Sequence, residues 1–470
     1  MTMEGITKLL GRDFEVTELD KTGNVARHWS HTRDNKVIPK ERGRPSRYSR
    51  SIRKVLMDSF LPIGYPHSVS EDYLAYQFFD SLQAFFSTIT ALLANRALLQ
   101  GLGVGDANSS ATFAMLLTVL KDAISRIATI IFAQQFGLRI EPDAKRYRFL
   151  ADLFNDTAFF LELYSPYLGS FGKIIALTTG EALRALCGVA AGASKASLSQ
   201  HFARHDNLAE LNAKEASQET AVGLVGLLAG TFFVKYIEDP RSVVYLMIVL
   251  VFSHLLMNYW GVRSVCVDTL NRQRATILFE EYLKTGKILS PTEVAYRENI
   301  LFWRPVVRNR QGKPTARIDM AESYQDAMRA NRRNTEITVI DCSSHKYTLF
   351  LWSHIRYTHT PIKIMLWNDA TAKDALAAWF MSMEIAWLME GEDYTKELNR
   401  TLNGKGLRSW TAKGSLGHEQ PDEDFGDKGD SYSQFWEDIS VQGQWNLQSQ
   451  SLETAAPVRL LAGLEDKKDI

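Results

Sequence analysis

The chain has 470 residues, enough for more than one domain, and 54 Lys and Arg balance 54 Asp and Glu, so no global basic bias favours nucleic acid. Three widely spaced cysteines, Cys187, Cys266 and Cys342, form no CxxC pair, which argues against a disulfide scaffold and a structural zinc site. The mean hydropathy of −0.17 averages an apolar middle with two polar ends.

Residues 1–54 lack apolar periodicity and predict a disordered segment with at most a short helix near 6–10. Arg27, Arg33, Lys36, Lys40, Arg42, Arg44, Arg47, Arg50, Arg53 and Lys54 make it basic. It reads either as a solvated linker or as a juxtamembrane stretch drawn to anionic lipid. Residues 1–20 offer no basic-then-apolar secretory signal, and Glu4, Asp13, Glu15, Glu18 and Asp20 count against a transit peptide.

The middle, 55–285, predicts a membrane-embedded bundle of about six helices, because each apolar stretch approaches the ~20 residues that cross a bilayer. The clearest is 242–262, which ends in Asn258, Tyr259 and Trp260, aromatics placed as in an interfacial belt. Residues 220–236 carry Gly223, Gly226 and Gly230, a small-residue pattern suited to close helix packing. Residues 171–193 are apolar apart from Lys173, Glu181 and Arg184, whereas 76–102, 113–136 and 149–168 are more polar. Basic residues alternate between successive loops: Arg139, Lys145, Arg146 and Arg148 in one, Lys195, Arg204 and Lys214 in a later one, with few between. By the positive-inside rule this places both termini on the cytoplasmic side.

After Thr285 the character changes. Residues 337–340, 347–352 and 362–367 read as strands and 372–389 as a helix, so 286–400 is expected to be a small α+β cytoplasmic domain. Residues 401–470 read as a flexible tail with a short docking helix around Phe435, Trp436 and Trp445. The expected class is therefore mainly α, with the bundle preceding the α+β domain.

Ionisable groups at membrane depth need a partner or a hydrated cavity. Asp80, Gln83 and Ser87 lie near one helical face, and Arg148, Asp152 and Asp156 line another, with Asn155 and Glu162 nearby. Lys121, Asp122 and Arg126 sit within one span, Glu181 and Arg184 allow an intrahelical pair, and His254 and Asn258 are spaced i, i+4. In 212–220, Lys214 and Gln218 share one face, Glu215 and Glu219 another. The candidate ligand-binding set is Asp80, Gln83, Lys121, Asp122, Asp152, Asn155, Asp156, His201, Lys214, Gln218, Glu219 and Asn258. Taken singly, each is more simply a structural pair; taken together, they point to a polar pocket. A solute pathway requires Asp80, Asp152, Asp156 and Glu219 to converge on one cavity. His201 and His205 lack a defined third ligand, so no metal site is assigned, and no catalytic constellation is evident.

Several segments carry a family resemblance. They are Phe60-Leu-Pro-Ile-Gly-Tyr-Pro66, Ser68-Val-Ser-Glu-Asp-Tyr-Leu-Ala-Tyr-Gln77, Asp80-Ser-Leu-Gln-Ala84, Gly103-Val-Gly-Asp106, Lys121-Asp122, Ala151-Asp-Leu-Phe-Asn-Asp156, His201-Phe-Ala203, Ala213-Lys-Glu-Ala-Ser-Gln-Glu-Thr220 and Asn258-Tyr-Trp-Gly-Val-Arg263. In this order they resemble the root UVB sensitive protein family, the DUF647 domain, over about 55–285. Ser194-Lys195 and Glu215-Ala216 depart mildly from the family pattern. The resemblance implies a membrane-associated protein whose family members act in pairs, and a link to vitamin B6 homeostasis; a six-span bundle would resemble half of a larger transporter, so a homo- or hetero-oligomer is expected. It implies no catalytic residue and no settled cofactor. Three functions follow as expectations: a bundle that binds or moves a small polar solute, a non-catalytic membrane scaffold recruiting partners through 286–470, or a soluble vitamin B6-related binding protein with Lys214 as its reactive lysine.

Overall fold

The computed structural model describes residues 13–19, 25–32, 34, 36–39, 52–101, 111–237, 239–328, 336–342, 345–353, 359–389, 408–412, 431–455 and 457–461. Residues 40–51 of the basic segment, the helix expected at 6–10, the Gly103-Val-Gly-Asp106 segment and most of 401–430 in the expected tail lie outside them. The chain forms two compact units. One comprises Met1–Ser125, Asp152–Cys187 and Lys195–Val265; the other comprises Arg126–Ala151, Gly188–Ser194 and Cys266–Ile470.

Strands β1 (Phe14–Leu19), β2 (Val25–His31) and β3 (Val37–Pro39) form an antiparallel sheet in that order, within the segment expected to be disordered. Cross-strand pairs hold it: Val16 faces Trp29, Trp29 Nε1 donates to Glu18 at 3.0 Å, and the Phe14 ring stacks on His31. Nearly all of β1 is exposed, so no buried face announces the strand in the sequence.

Helices α1 (Ile52–Phe60), α2 (Tyr73–Gly101), α3 (Ala111–Ile140), α4 (Ala144–Tyr164), α5 (Gly169–Phe202), α6 (Leu208–Tyr236) and α7 (Pro240–Ser264) follow. Among the described residues four segments are long and apolar enough to cross a membrane: Tyr73–Leu99, Gly169–Phe202, Leu208–Tyr236 and Pro240–Ser264. The other two expected spans are helical but carry more charge, as at Lys121, Asp122 and Arg126 of α3. Large apolar side chains point outward, Phe171 at 76% exposure and Phe252 at 66%, a surface that suits hydrocarbon better than water.

Within the first unit α2 packs along both α6 and α7. Two glycines set the α2–α6 approach. A Cβ on Gly226 would meet Thr88 Cβ at 3.0 Å and the Phe85 carbonyl at 3.1 Å, and one on Gly230 would overlap Leu92. Ile89, Leu93 and Leu250 form the apolar seam beside this contact, and Ala94, Ala97, Phe159, Leu163, Met247 and Val251 form a second. Asp239 caps α7, accepting from the Ser242 amide at 2.9 Å ahead of Pro240.

The second unit contains α8 (Arg272–Thr285), capped by Asn271 and ended by Gly286 at φ 70°, and α9 (Pro291–Arg297), opened by a Ser290–Glu293 capping box. Strands β4 (Val306–Arg308), β5 (Pro314–Met320), β6 (Glu336–Cys342), β7 (Tyr347–Ser353), β8 (Thr360–Trp367) and β9 (Arg408–Ala412) order as β4-β5-β8-β7-β6-β9. Only β5 and β8 run parallel along this path; β10 (Arg459–Leu460) also pairs parallel with β8. The expected strands at 337–340, 347–352 and 362–367 coincide with β6, β7 and β8, and helix α11 (Ala372–Leu388) with the expected helix. Between β5 and β6 lies the short α10 (Tyr324–Met328). Helix α11 is buried on nearly every side, as its all-round apolar sequence requires. It packs against α8, and α12 (Ser431–Gln442) closes the core with Phe435, whose ring lies against Phe279, Phe380 and Tyr282. The segment expected as a sparse tail thus supplies central core residues.

The α2–α6 contact generates a test. Gly226→Val must displace backbone or side chains at a packed seam and should cost about 1–3 kcal/mol. Gly188→Ala, at a site with nothing within 4 Å, should be neutral or stabilising. The thermal midpoint of purified Gly226→Val should therefore fall, while that of Gly188→Ala should hold or rise.

Candidate functional site

The polar groups of the first unit gather along α2. Asp152 of α4 sits at one centre, buried at 6% exposure. Its Oδ2 accepts from Gln83 Nε2 of α2 at 2.5 Å and from Asn258 Nδ2 of α7. One turn further along α4, Asp156 Oδ2 lies 2.8 Å from His254 Nδ1. The other imidazole nitrogen, Nε2, is 3.6 Å from Asp152 Oδ2. A histidine is thus held between two carboxylates, with His254 at 1% and Asp156 at 2% exposure. The i, i+4 spacing on both helices places Asp152 opposite Asn258 and Asp156 opposite His254.

A second group lies at the start of α2. Asp80 accepts from Tyr76 at 3.5 Å. Lys195 of α5 pairs with Glu219 of α6 at 2.8 Å and interacts electrostatically with Asp80 and Glu215. Ser199 donates to buried Glu215 at 3.2 Å, and Gln218 donates to the Phe60 carbonyl. His201 lies 2.9 Å from Asp72 through Nε2, and Asp72 also accepts from Ser70.

The predicted residues therefore divide. Gln83, Asp152, Asp156 and Asn258 meet; Asp80, Gln218 and Glu219 belong to the neighbouring group. Asp80, Asp152, Asp156 and Glu219 do not converge at one point but form two groups, Asp80 and Gln83 being one turn apart on α2. Lys121 pairs separately with Glu181 at 3.1 Å, and Arg184 with Glu162 at 2.5 Å. Asp122 is exposed, while Asn155 and Lys214 are half-buried. Among the described residues no three His, Cys, Asp or Glu side chains are grouped as for a metal ion.

The candidate set omitted His254, Lys195, Ser199 and Glu215. The i, i+4 relation of His254 to Asn258 on an apolar span was the available signal for the first.

The second unit holds a separate charged cluster. Glu298 is buried and takes Lys145 of α4 on one oxygen and Arg274 of α8 on the other, the latter at 3.0 Å. Asn271 donates to the Pro142 carbonyl and to Asp143, each at 2.9 Å, and Asp143, Gln273 and Trp303 line a small cleft beside the cluster. Burial alone would raise the Glu298 carboxyl, but Lys145 and Arg274 outweigh it and hold it below the usual carboxylate range. Asp143 behaves oppositely: burial raises it, and Arg274, Arg146 and Arg272 offset this only in part.

A family model described as the vitamin B6 photo-protection and homoeostasis domain matches residues 46–286. Protein root UVB sensitive 3 of Arabidopsis thaliana is 31% identical over 73% of this chain and 78% of its own length. The chain belongs to the root UVB sensitive family. RUS family member 1 of Dictyostelium discoideum is 41% identical over 53% of this chain, but the match spans only 48% of that relative's length. Protein root UVB sensitive 2, chloroplastic, of Arabidopsis thaliana is 28% identical over 79% of the chain and 82% of its own length. No solved structure matches. Both polar groups of the first unit and the Lys145 end of the Glu298 cluster fall inside the family-matched region, whereas Glu298 itself lies beyond it.

Glu298 gives a pH prediction. A carboxyl depressed in the folded state adds stability above its unfolded pKa of about 4.3, and that contribution is lost as pH falls through the folded value. Glu298→Ala should cost about 3–5 kcal/mol at neutral pH, because Lys145 and Arg274 lose their shared counter-charge. Denaturant titrations of wild type and the isosteric Glu298→Gln from pH 7 to 3 should show the gap between them closing below about pH 4.

Proposed function

We propose that this family member is a multi-pass membrane protein, with both termini cytoplasmic, that binds or moves a small polar solute through its first unit. The carrying observation is His254, held between Asp152 and Asp156 in the middle of the apolar helix Pro240–Ser264. Two carboxylates around one imidazole form a costly arrangement in an apolar bundle, of the kind that marks ion and proton pathways in membrane proteins. Gln83 and Asn258 keep Asp152 hydrogen-bonded, so the group has a defined resting geometry. The more charged helices α3 and α4 complete six spans, and a partner copy or second family member completes the assembly. Vitamin B6 compounds are the first solutes to test, because the matched family model carries that name.

The scaffold reading keeps one specific support: Lys121–Glu181 and Arg184–Glu162 are separately satisfied pairs that serve packing. The test that separates the two is uptake of labelled pyridoxine into liposomes containing the full chain. Uptake above that of empty liposomes, falling at least tenfold in Asp156→Asn with the protein still folded, is the expected result. Uptake equal to that of empty liposomes, or a fully active Asp156→Asn, would replace the pathway by the scaffold.

A further inference from the structure

The second polar group of the first unit is unfinished as a hydrogen-bonding system. Tyr73, Gln77 and Asp80 recur on one side of α2, Lys195 and Ser199 lie one turn apart on α5, and Glu215, Gln218 and Glu219 lie within one turn of α6. Glu215 is 2% exposed; its Oε2 accepts from Ser199, while its Oε1 has no partner among the described residues. The Tyr73 hydroxyl is fully buried and within electrostatic range of Glu215 and Asp80; Gln218 approaches it, but among the described residues no hydrogen bond to it has good geometry. Gln77 Oε1, at 5% residue exposure, is also unpartnered among the described residues. Buried polar atoms are almost always satisfied, so three orphans on neighbouring helices require an explanation.

Charge and shape narrow it. Lys195 interacts electrostatically with all three of Asp80, Glu215 and Glu219, and its ammonium is hydrogen-bonded to Glu219, the most exposed of the three. Among the described residues the buried Glu215 is left without a direct cationic partner. The unpartnered atoms are two acceptors and one hydroxyl, so they match a ligand that brings N–H donors and positive charge. The wall beside them is aromatic: the Tyr73 and Tyr76 rings both contact Phe202, at 5.7 and 5.0 Å. Aromatic faces favour cations and rings alike.

We propose that Glu215, with Tyr73 and Gln77, forms a binding site for a small organic cation, an amine or protonated ring nitrogen carrying N–H donors. Glu215 Oε1 and Gln77 Oε1 accept from the cation, and Tyr73 donates to an oxygen on it or closes onto Glu215 when the site is empty. This deepens the solute-binding reading and rests on it, but shares no residue with the Asp152–His254–Asp156 group.

The test is equilibrium dialysis of the full-length chain in detergent micelles, with empty micelles as the blank, against three probes of one size: benzylamine, benzyl alcohol and benzoate. Benzylamine should bind at least tenfold more tightly than benzyl alcohol, and benzoate should not bind. Glu215→Gln, which preserves shape, should lower benzylamine affinity at least tenfold, and Tyr73→Phe several-fold. Gly188→Ala, where the added Cβ meets nothing within 4 Å, should leave this binding unchanged, and circular dichroism of each variant guards against unfolding. Equal binding of the three probes, no binding of any, or an unaffected Glu215→Gln would overturn the site. If the probes fail while pyridoxine uptake persists and depends on Asp156, only this site falls. If uptake is also absent, the solute reading falls with it.

Discussion

The first unit depends on how it keeps a carboxylate among apolar helices. Asp152 on α4 accepts one hydrogen bond from the Gln83 amide on α2 and another from the Asn258 amide on α7, so one buried carboxyl group ties three helices together. Hydrogen bonds to a charged group contribute about 1.5–3 kcal/mol each, and losing one leaves a buried group uncompensated. The interaction is therefore directional where apolar packing is not. Ile89, Leu93 and Leu250 could slide or rotate at small cost; Gln83 and Asn258 could not without releasing Asp152. The same bonds that fix the helices leave His254 aligned between two acids.

Helix α2 turns that constraint into a longer polar line. Its glycine-lined contact with α6 brings Glu215 and Gln218 into range, while its contact with α7 serves Asp152. Tyr73, Gln77, Asp80 and Gln83 are spaced so that one helix carries both groups. Large residues at Gly226 or Gly230 would push α6 away and weaken the group at Glu215 without touching any of its side chains. Close packing and polar chemistry are in this sense one design: small residues on one strip of α6 bring the polar residues of another turn to α2.

Much of this was legible in the sequence, for reasons specific to each part. The strands β6, β7 and β8 and the helix α11 announced themselves by periodicity and length, and the four most apolar helices by hydropathy. The i, i+4 recurrence of Asp152 and Asp156 fixed their common face. Asn258 and Gln83 were legible as amides on apolar spans. What was not legible was pairing across helices. Nothing in the local sequence distinguishes Glu215, buried with an orphan oxygen, from Glu219, exposed with a lysine partner, because both sit on the same face four residues apart. Glu298 was missed for a related reason: its partners are 153 and 24 residues away. The N-terminal strands escaped notice because they are short and solvated, and are held by cross-strand pairs that only the register shows.

The second unit bears on how a recruiting role could be separated from a solute-binding one. Its core is assembled from distant segments: α8 supplies Phe279 and Tyr282, α11 supplies Trp379 and Phe380, and α12 supplies Phe435. Trp379 donates to Thr276 at 3.1 Å, and Trp445 donates to the Leu289 carbonyl at 2.9 Å, so the indoles tie the late segments to the early ones. Removing residues after 400 would therefore open the core around Phe279 and Phe380, since each buried aromatic contributes about 3–5 kcal/mol when truncated. A chain cut there would lose partner binding through unfolding whether or not any partner touches it. Point changes at exposed positions of this unit, such as Tyr296 and Phe302 at 71% and 88% exposure, leave the core intact. Only such changes can show whether this unit recruits a partner, because they alter its surface without altering its fold.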